Sequence, residues 1–372
     1  MQNILKSYHF FEEIENVERF GNGHINKTFL VTTKNDKFIV QQINTKVFKN
    51  PIQVMENIEL VTNYIREVAC CEDCDPTRAA LEIVTTIDGK TYATWDDTFW
   101  RCYKYVVGAR TFEIIEHPQM FYEVGIAVGV FQRQLNKFPI EKLHITIPDF
   151  HNTPVRFKKF VEVAKKDEFH RGIDAFNEVK FVFDRRNGMS KIVDFIDKKE
   201  IPIRVTHNDT KLNNIMLDEV TKKAICVIDL DTVMPGSVLY DFGDAIRVGA
   251  STAVEDEPDL NKVHLNIELF KAFTQGFLEK THDILNQKEL ENLVEGARII
   301  TLECGMRFLT DYLENDVYFK TNYPTHNLVR ARTQFKLVTE IEKNYDILEN
   351  IVKDILKGLG KGSIKYFMVY RK

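Results

Sequence analysis

Cysteine, proline and glycine are all scarce here: 6, 10 and 17 residues in a chain of 372. So few cysteines exclude a disulfide-stapled secreted scaffold and fit a reducing, cytoplasmic setting. Three of them cluster as Cys70-Cys71-Glu72-Asp73-Cys74, but no second cysteine or histidine pair with finger-like spacing follows. The cluster therefore does not read as a zinc site. The low glycine and proline content excludes collagen-like and low-complexity chains. No apolar run of about 18 residues occurs, so no membrane-spanning helix is expected. The first twenty residues lack a basic start, an apolar stretch and a small-residue cleavage site, and do not read as a secretion signal. An excess of positive charge is missing too. Lys+Arg 50 stand against Asp+Glu 55, a net −5. With no basic block, nucleic acid is not an expected partner.

What is present is a globular composition, 44% hydrophobic and 28% charged, over a length that suits two or three domain-sized units. Alternating segments at Val17–Phe20, Thr28–Thr33 and Phe38–Ile43, separated by Gly21-Asn22-Gly23 and Asn35-Asp36, predict hairpins. Asn50-Pro51 opens a helix as cap and first residue, with Met55, Ile58, Val61, Ile65 and Val68 at helical spacing. Two further strands are expected at 81–87 and 90–94 around Asp88-Gly89, and a last one at Phe99–Val107. After Gly108 the pattern turns helical. Pro118 to Leu135 reads as one amphipathic helix, and 155–200 as several charged ones. Two short strands, Ile215–Leu217 and Ala224–Leu230, interrupt. Helices then run to the end, with Leu337 to Leu356 as one apolar repeat stopped at Gly358. The division expected is a β-rich lobe over 1–107 and a helical lobe over 108–372, with a ligand cleft between them.

The segment Val205-Thr206-His207-Asn208-Asp209-Thr210-Lys211-Leu212-Asn213-Asn214 holds the spacing His-x-Asp-x-x-x-x-Asn before an apolar strand. The next strand ends in Val227-Ile228-Asp229-Leu230-Asp231. Phosphoryl transfer needs a carboxylate to orient and deprotonate the attacking hydroxyl, and an amide and carboxylate to hold Mg²⁺ on the phosphates. Asp209 takes the first place, and Asn214 and Asp229 the second. Asp231, two residues on, would share a face with Asp229 in an extended strand. Lys211 can meet the transferring phosphoryl group as a point charge. A literal Asp241-Phe242-Gly243 lies further downstream and reads as a decoy, with Asp241 and Asp244 capping the next helix and supporting the catalytic loop. Gly21 and Gly23, in Gly21-Asn22-Gly23-His24-Ile25-Asn26, form a turn whose backbone could cover phosphates. Gln41 and Gln42 occupy the strand on which a kinase carries its phosphate-binding lysine, and Glu56 or Glu59 would be that lysine's usual partner.

These residues resemble the aminoglycoside phosphotransferase and choline kinase superfamily. Within it, the Gly21–Asn26 turn, the 205–214 loop, Ile228–Ser237, Asp241–Asp244, Gly249–Thr252 and Glu303–Leu309 resemble the N-acetylhexosamine 1-kinases. The resemblance implies an α+β, protein-kinase-like fold of two lobes, the small one β-rich with one helix and the large one mainly helical. It implies ATP and Mg²⁺ as cofactors and transfer of the γ-phosphoryl group to the anomeric hydroxyl of a small-molecule sugar. Asp209 would be the base. His24, Arg307 and Tyr318 would contact the sugar, with Lys211 nearby, and backbone groups of Tyr105–Val107 would read adenine. The chain would be a monomer or a small homo-oligomer, away from membranes. Arg307 also has Glu303 and Asp311 at i−4 and i+4, which alone reads as a helix-surface ion-pair set. Two other readings stand beside it: a kinase of the same fold acting on choline, homoserine, methylthioribose or an aminoglycoside, and a pseudokinase-like binding protein.

Overall fold

The computed structural model describes residues 1–21, 26–71 and 75–369. A short helix α1 (Gln2–Leu5) leads to strands β1 (Ile14–Arg19), β2 (Lys27–Thr33) and β3 (Lys37–Ile43). Helix α2 (Pro51–Cys71) and the single turn α3 (Pro76–Ala79) follow, then β4 (Ala93–Trp95) and β5 (Thr98–Lys104). These strands make one sheet in the order β1-β2-β3-β5-β4, antiparallel throughout. The period of two sorts its faces. Phe38, Val40, Trp100 and Cys102 pack outward against Ile4, Leu5, Tyr8 and Phe10. Ile43, Phe99 and Tyr103 face α2 and join the main core, which continues into the other lobe.

The hairpin expected at Asp88-Gly89 is not a strand pair. Thr86 to Lys90 is a tight turn, and 81–87 touches β5 only through the Ile83–Tyr103 bridge and its neighbours. The strand reversal falls at Asp96 and Asp97, whose φ values of 42° and 51° suit a two-residue turn between right-twisted strands. Aspartate tolerates the left-handed region, so the turn needs no glycine.

Tyr105 to Gly108 connect the sheet to β6 (Ala109–Arg110) and the helical lobe. That lobe contains α4 (Pro118–Gln134), α5 (Thr153–Lys166), α6 (Phe176–Asp184), α7 (Lys191–Asp197), α8 (Val238–Gly249), α9 (Ile267–Thr281), α10 (Gln287–Glu291), α11 (Leu293–Leu313), α12 (His326–Lys343) and α13 (Tyr345–Val369). Its strands are β7 (Arg204–Thr206), β8 (Ile215–Asp218), β9 (Ala224–Val227) and β10 (Met234–Gly236). The pair β7–β10 was not expected; three residues are too few to show a period. The 337–356 repeat is two helices, broken at Asn344, and α13 runs through Gly358 instead of stopping there. Region 140–200 builds a second core: Phe160, Val182 and Met189 pack on Leu302, Met306, Leu309 and Phe335 from α11 and α12.

The decoy Asp241-Phe242-Gly243 sits inside α8. Phe242 is fully buried among Phe270, Phe273 and Phe277. Gly243 lets α8 cross α11 closely, because a Cβ there would stand 2.5 Å from the Gly296 carbonyl oxygen.

Candidate active site

The catalytic loop leaves β7 at Thr206 and is held almost entirely by backbone. The Asp241 carboxylate accepts the N–H of His207 at 2.9 Å and of Asn208 at 2.7 Å, plus the Gln132 amide at 2.8 Å. Thr210 Oγ1 donates to the Asp241 carbonyl at 2.6 Å. Asp241 thus supports the loop as expected, but it does not cap the helix: the cap of α8 is Ser237, which accepts from Leu239 N–H. Burial pushes the Asp241 carboxyl up to about 6, against the pull of His207 and the two amides. The imidazole of His207 is wholly buried; its Nδ1 accepts from Asp209 N–H, leaving Nε2 to donate to the Ile228 carbonyl at 2.9 Å. Asn208 adopts φ 64° and spans to the Thr232 carbonyl at 2.9 Å, tying the loop to the segment after Asp229.

This scaffold aims Asp209 outward. Asn214 Nδ2 donates to Asp209 Oδ2 at 2.9 Å, and Lys211 Nζ lies 3.0 Å from the same oxygen. Burial opposes the charge on Asp209, but Lys211, His207 and Asn214 outweigh it and hold the carboxyl below its usual range. Both amide hydrogens of Asn214 serve Asp209, so its Oδ1 is the atom left for a cation. Asp229 stands at the mouth of the next turn with φ 59°. Its carboxylate makes no hydrogen bond among the described residues. Burial, Asp231 and Asp209 push it up to about 7, with Arg101 and Lys211 pulling the other way. A half-buried carboxylate beside two others lacks a cation, and this donor set fits Mg²⁺, which takes one or two protein oxygens and fills its shell with phosphates and water. No group of three or more metal-binding side chains exists among the described residues, and none is needed for that arrangement.

Asp231 does not share a face with Asp229. The chain turns at Asp229 into a 3₁₀ turn, Leu230–Thr232, which points Asp231 into the small lobe. There it forms an ion pair with Arg101 of β5 and accepts Asn26 Nδ2 at 2.6 Å. Gln41 lies opposite Arg101 across β3–β5, accepts Arg101 Nε at 2.9 Å and donates to Thr28 Oγ1 at 3.0 Å. Strand alternation puts Gln42 on the opposite face, beside Trp100, so only Gln41 faces the cleft. Glu56 pairs with His144 at 2.7 Å, away from β3. Gly21 has φ 70°, while Asn22, Gly23, His24 and Ile25 lie outside the described residues. Of the connecting backbone, Tyr105 N–H is already bonded to the Lys37 carbonyl at 2.9 Å. The N–H of Val107, on a residue 77% exposed, makes no hydrogen bond among the described residues.

On the large-lobe side, Arg307 of α11 is not part of a helix-surface ion-pair set. Glu303 is buried and accepts from Thr153 Oγ1 at 2.6 Å and from His151 at 2.9 Å. Asp311 instead caps the backbone of Tyr318 at 2.8 Å and Phe319 at 2.9 Å. The Arg307 guanidinium makes no hydrogen bond or ion pair among the described residues, lying 5.2 Å from the Phe150 ring centre and 5.7 Å from that of Phe319. Asp311 therefore places both Tyr318, 61% exposed, and the ring beside Arg307. Between this wall and Lys211 lie Arg247 and Asp244. Arg247 grips Asp244 Oδ1 at 2.8 Å and Glu255 at 2.7 Å, while Asp244 Oδ2 is buried without a partner. Burial and the nearby Arg307 lower the pKa of Arg156, with Glu303 and Asp149 pulling the other way.

Sequence reasoning missed Arg101 and Asn26 as partners of Asp231. The signal for Arg101 was a lone charge inside the apolar run Phe99-Trp100-Arg101-Cys102-Tyr103.

A family model described as the phosphotransferase enzyme family matches residues 16–272. Solved structures similar in fold include a microcompartment-associated aminopropanol kinase, with TM-score 0.61, 16% identity and coverage of 94% of this chain and 97% of that one. A choline kinase from Cryptosporidium parvum Iowa II gives TM-score 0.56 at 13% identity, covering 95% and 97%. An ethanolamine kinase from Plasmodium vivax gives 0.55 at 14%, covering 87% and 83%. The family match spans more than half of the chain and contains the whole catalytic loop, so the chain belongs to the phosphotransferase enzyme family, as a small-molecule kinase of the aminoglycoside phosphotransferase and choline kinase superfamily.

Proposed function

We propose that this kinase transfers the γ-phosphoryl group of ATP to the anomeric hydroxyl of N-acetylglucosamine or N-acetylgalactosamine, releasing the sugar 1-phosphate and ADP. One observation carries the transfer: Asp209 is held ionised and aimed by Lys211 and Asn214, while Asp229 beside it makes no hydrogen bond among the described residues. In this reading residues 1–107 cover the nucleotide, with Gly21, Gly23, Gln41 and the Tyr105–Val107 backbone around it. Residues 108–372 supply the catalytic loop and the acceptor wall.

Asp209 accepts the proton of the attacking hydroxyl as its oxygen bonds to the γ-phosphorus, and the bridging oxygen leaves with ADP. Lys211 faces the charge that develops on the transferring group. Asn214 Oδ1 and Asp229 would hold Mg²⁺, which neutralises phosphate charge when bound. The Asp209 assignment is a positioning argument: the carboxylate is fixed before substrate arrives, so little reorganisation remains at the moment of transfer.

The charge of the acceptor wall supports a neutral polyol over an amine. Arg307 and Arg156 lie close enough for their charges to act on each other, and an ammonium group beside them would meet repulsion. The acidic run at 255–259 offers no carboxylate cage: Glu255 is bound by Arg247, and Asp256 by His326 at 2.9 Å. A guanidinium backed by two rings suits hydroxyl or acetamido oxygens as a hydrogen-bond donor. In this reading His24 and Tyr318 complete the sugar contacts.

The test is ADP release with Mg²⁺ against N-acetylglucosamine, N-acetylgalactosamine, glucose, galactose, choline, ethanolamine, homoserine and kanamycin. Turnover on the N-acetylhexosamines supports the proposal. Turnover confined to the amines keeps Asp209 but discards the sugar site.

A further inference from the structure

We propose that Arg101 does the work of the absent strand lysine. It is a positioning residue that locks Asp231, and through the turn that follows Asp229 the metal-binding carboxylate itself, to the small-lobe sheet. This rests on the nucleotide-binding reading above.

The position on β3 that faces the cleft holds Gln41, which brings no charge. Its direct cross-strand partner is Arg101, and the two are hydrogen-bonded at 2.9 Å. The positive charge is therefore present on the same face of the same sheet, moved one strand over. Gln41 in turn bonds Thr28 at 3.0 Å, so three adjacent strands fix the guanidinium. The ring of Tyr103 lies 5.3 Å from it on the same face.

Arg101 is 1% exposed and its ion-pair partner Asp231 is 4% exposed. Burying two charges carries a large desolvation cost, and a well-packed apolar pair of similar volume often stabilises a fold as well. Stability alone is thus a poor reason for this pair. Its location supplies another. Asp231 sits two residues after Asp229, and both of its oxygens are tied to the small lobe, one by Arg101 and one by Asn26 at 2.6 Å. Asn26 is anchored at its other end by Asn44 N–H at 3.0 Å. Asn57 of α2 adds a third tie, donating to the Val233 carbonyl at 2.9 Å. All three ties land on residues 231–233. Asp229 has no side-chain hydrogen bond among the described residues, so its place is set chiefly by its backbone. That backbone is in the left-handed region, at φ 59° and ψ 57°, a conformation aspartate tolerates but does not itself impose. Something must hold the turn, and the sheet does so through Arg101. In a kinase the lysine pairs with a helix carboxylate. Here Glu56 of α2 pairs with His144, and Gln41 brings no charge for a helix carboxylate to meet.

The test measures ADP affinity by calorimetry, with and without Mg²⁺, in the full chain. Three variants are compared: Arg101→Met, Arg101→Met with Asp231→Asn, and Arg101→Met with Gln41→Lys. The second removes both buried charges and so avoids stranding Asp231 in the core. It is expected to keep metal-free ADP affinity within about threefold, while the gain from Mg²⁺ falls at least about tenfold. Gln41→Lys, returning the charge to β3, is expected to recover a measurable part of that gain. If the doubly neutral variant melts earlier but keeps the full gain from Mg²⁺, Arg101 is structural only and the proposal is overturned. Failure of Gln41→Lys to recover anything overturns its role as the lysine's substitute. A wild-type chain whose ADP affinity does not respond to Mg²⁺ overturns the nucleotide reading itself, a result distinguishable from the other two.

Discussion

A guanidinium without a carboxylate is uncommon on a helix that has acids at i−4 and i+4. Arg307 has no ion pair among the described residues because Glu303 and Asp311 are both committed to holding loops, one at His151 and Thr153, the other at Tyr318 and Phe319. Spacing along α11 showed the acids but not their commitments, which are to Thr153, 150 residues away in sequence, and to Tyr318 and Phe319, 7 and 8 residues on. Arg307→Ala is expected to raise KM for the acceptor by about 10-fold or more, the worth of a lost charged hydrogen bond, while KM for ATP stays within about twofold. Steady-state kinetics with each substrate varied separately checks it; an equal rise in both would place Arg307 outside the acceptor site. Asp229 predicts a pH response. Its carboxyl is raised to about 7 chiefly by burial, so below that pH it is protonated and above it ionised. Mg²⁺ needs the ionised form, so metal affinity should fall as pH drops through about 7, with a proton released on binding in that range. The unliganded fold has the opposite slope. A carboxyl whose folded value exceeds its unfolded one binds its proton more tightly when folded, so its contribution to stability grows as pH falls from about 7 toward 4. Metal titrations at about pH 6 and pH 8 test the first statement; equal affinities contradict it.

At the scale of elements, the structure depends on a few close approaches. Gly243 lies at the α8–α11 crossing and Gly296 faces it, each where a Cβ would press 2.5 Å from a backbone oxygen of the other helix. Gly243→Ala should therefore destabilise the fold by about 1–3 kcal/mol, read from the denaturant midpoint at unchanged slope. Because α8 also carries Asp241, the same variant should lower kcat. An alanine variant as stable and active as the parent would show that the crossing can relax. Strands with a strict period of two, and the helix begun by Asn50-Pro51, were legible in the sequence because their signal is local. The β4–β5 reversal was not, since an Asp-Asp turn at 96–97 was hidden behind the stronger Asp-Gly signal at 88–89. The break at Asn344 was missed for a similar reason: the apolar repeat runs straight across it, and only packing of α12 and α13 on different partners separates them.

For the molecule as a whole, the residues proposed for catalysis come from one loop and one turn, but their geometry is set from both lobes. Asp241 holds the loop from below, and Arg101, Asn26 and Asn57 hold the turn at 231–233 from above. That Asp209, Lys211, Asn214 and Asp229 lie together was legible because they fall in two short motifs joined by a hairpin. The ties from above were not, since Asp231 is 130 residues from Arg101 and 205 from Asn26. The claim at the centre is that Asp209 deprotonates an anomeric hydroxyl. Phosphorus NMR of the product formed from N-acetylglucosamine, ATP and Mg²⁺ tests it most directly, run beside Asp209→Asn. The account predicts a phosphate coupled to the anomeric proton. In Asp209→Asn the rate should drop about 10²–10⁴-fold while Mg·ADP still binds. A phosphate on any other oxygen, or an Asn variant that turns over near the parent rate, would contradict it.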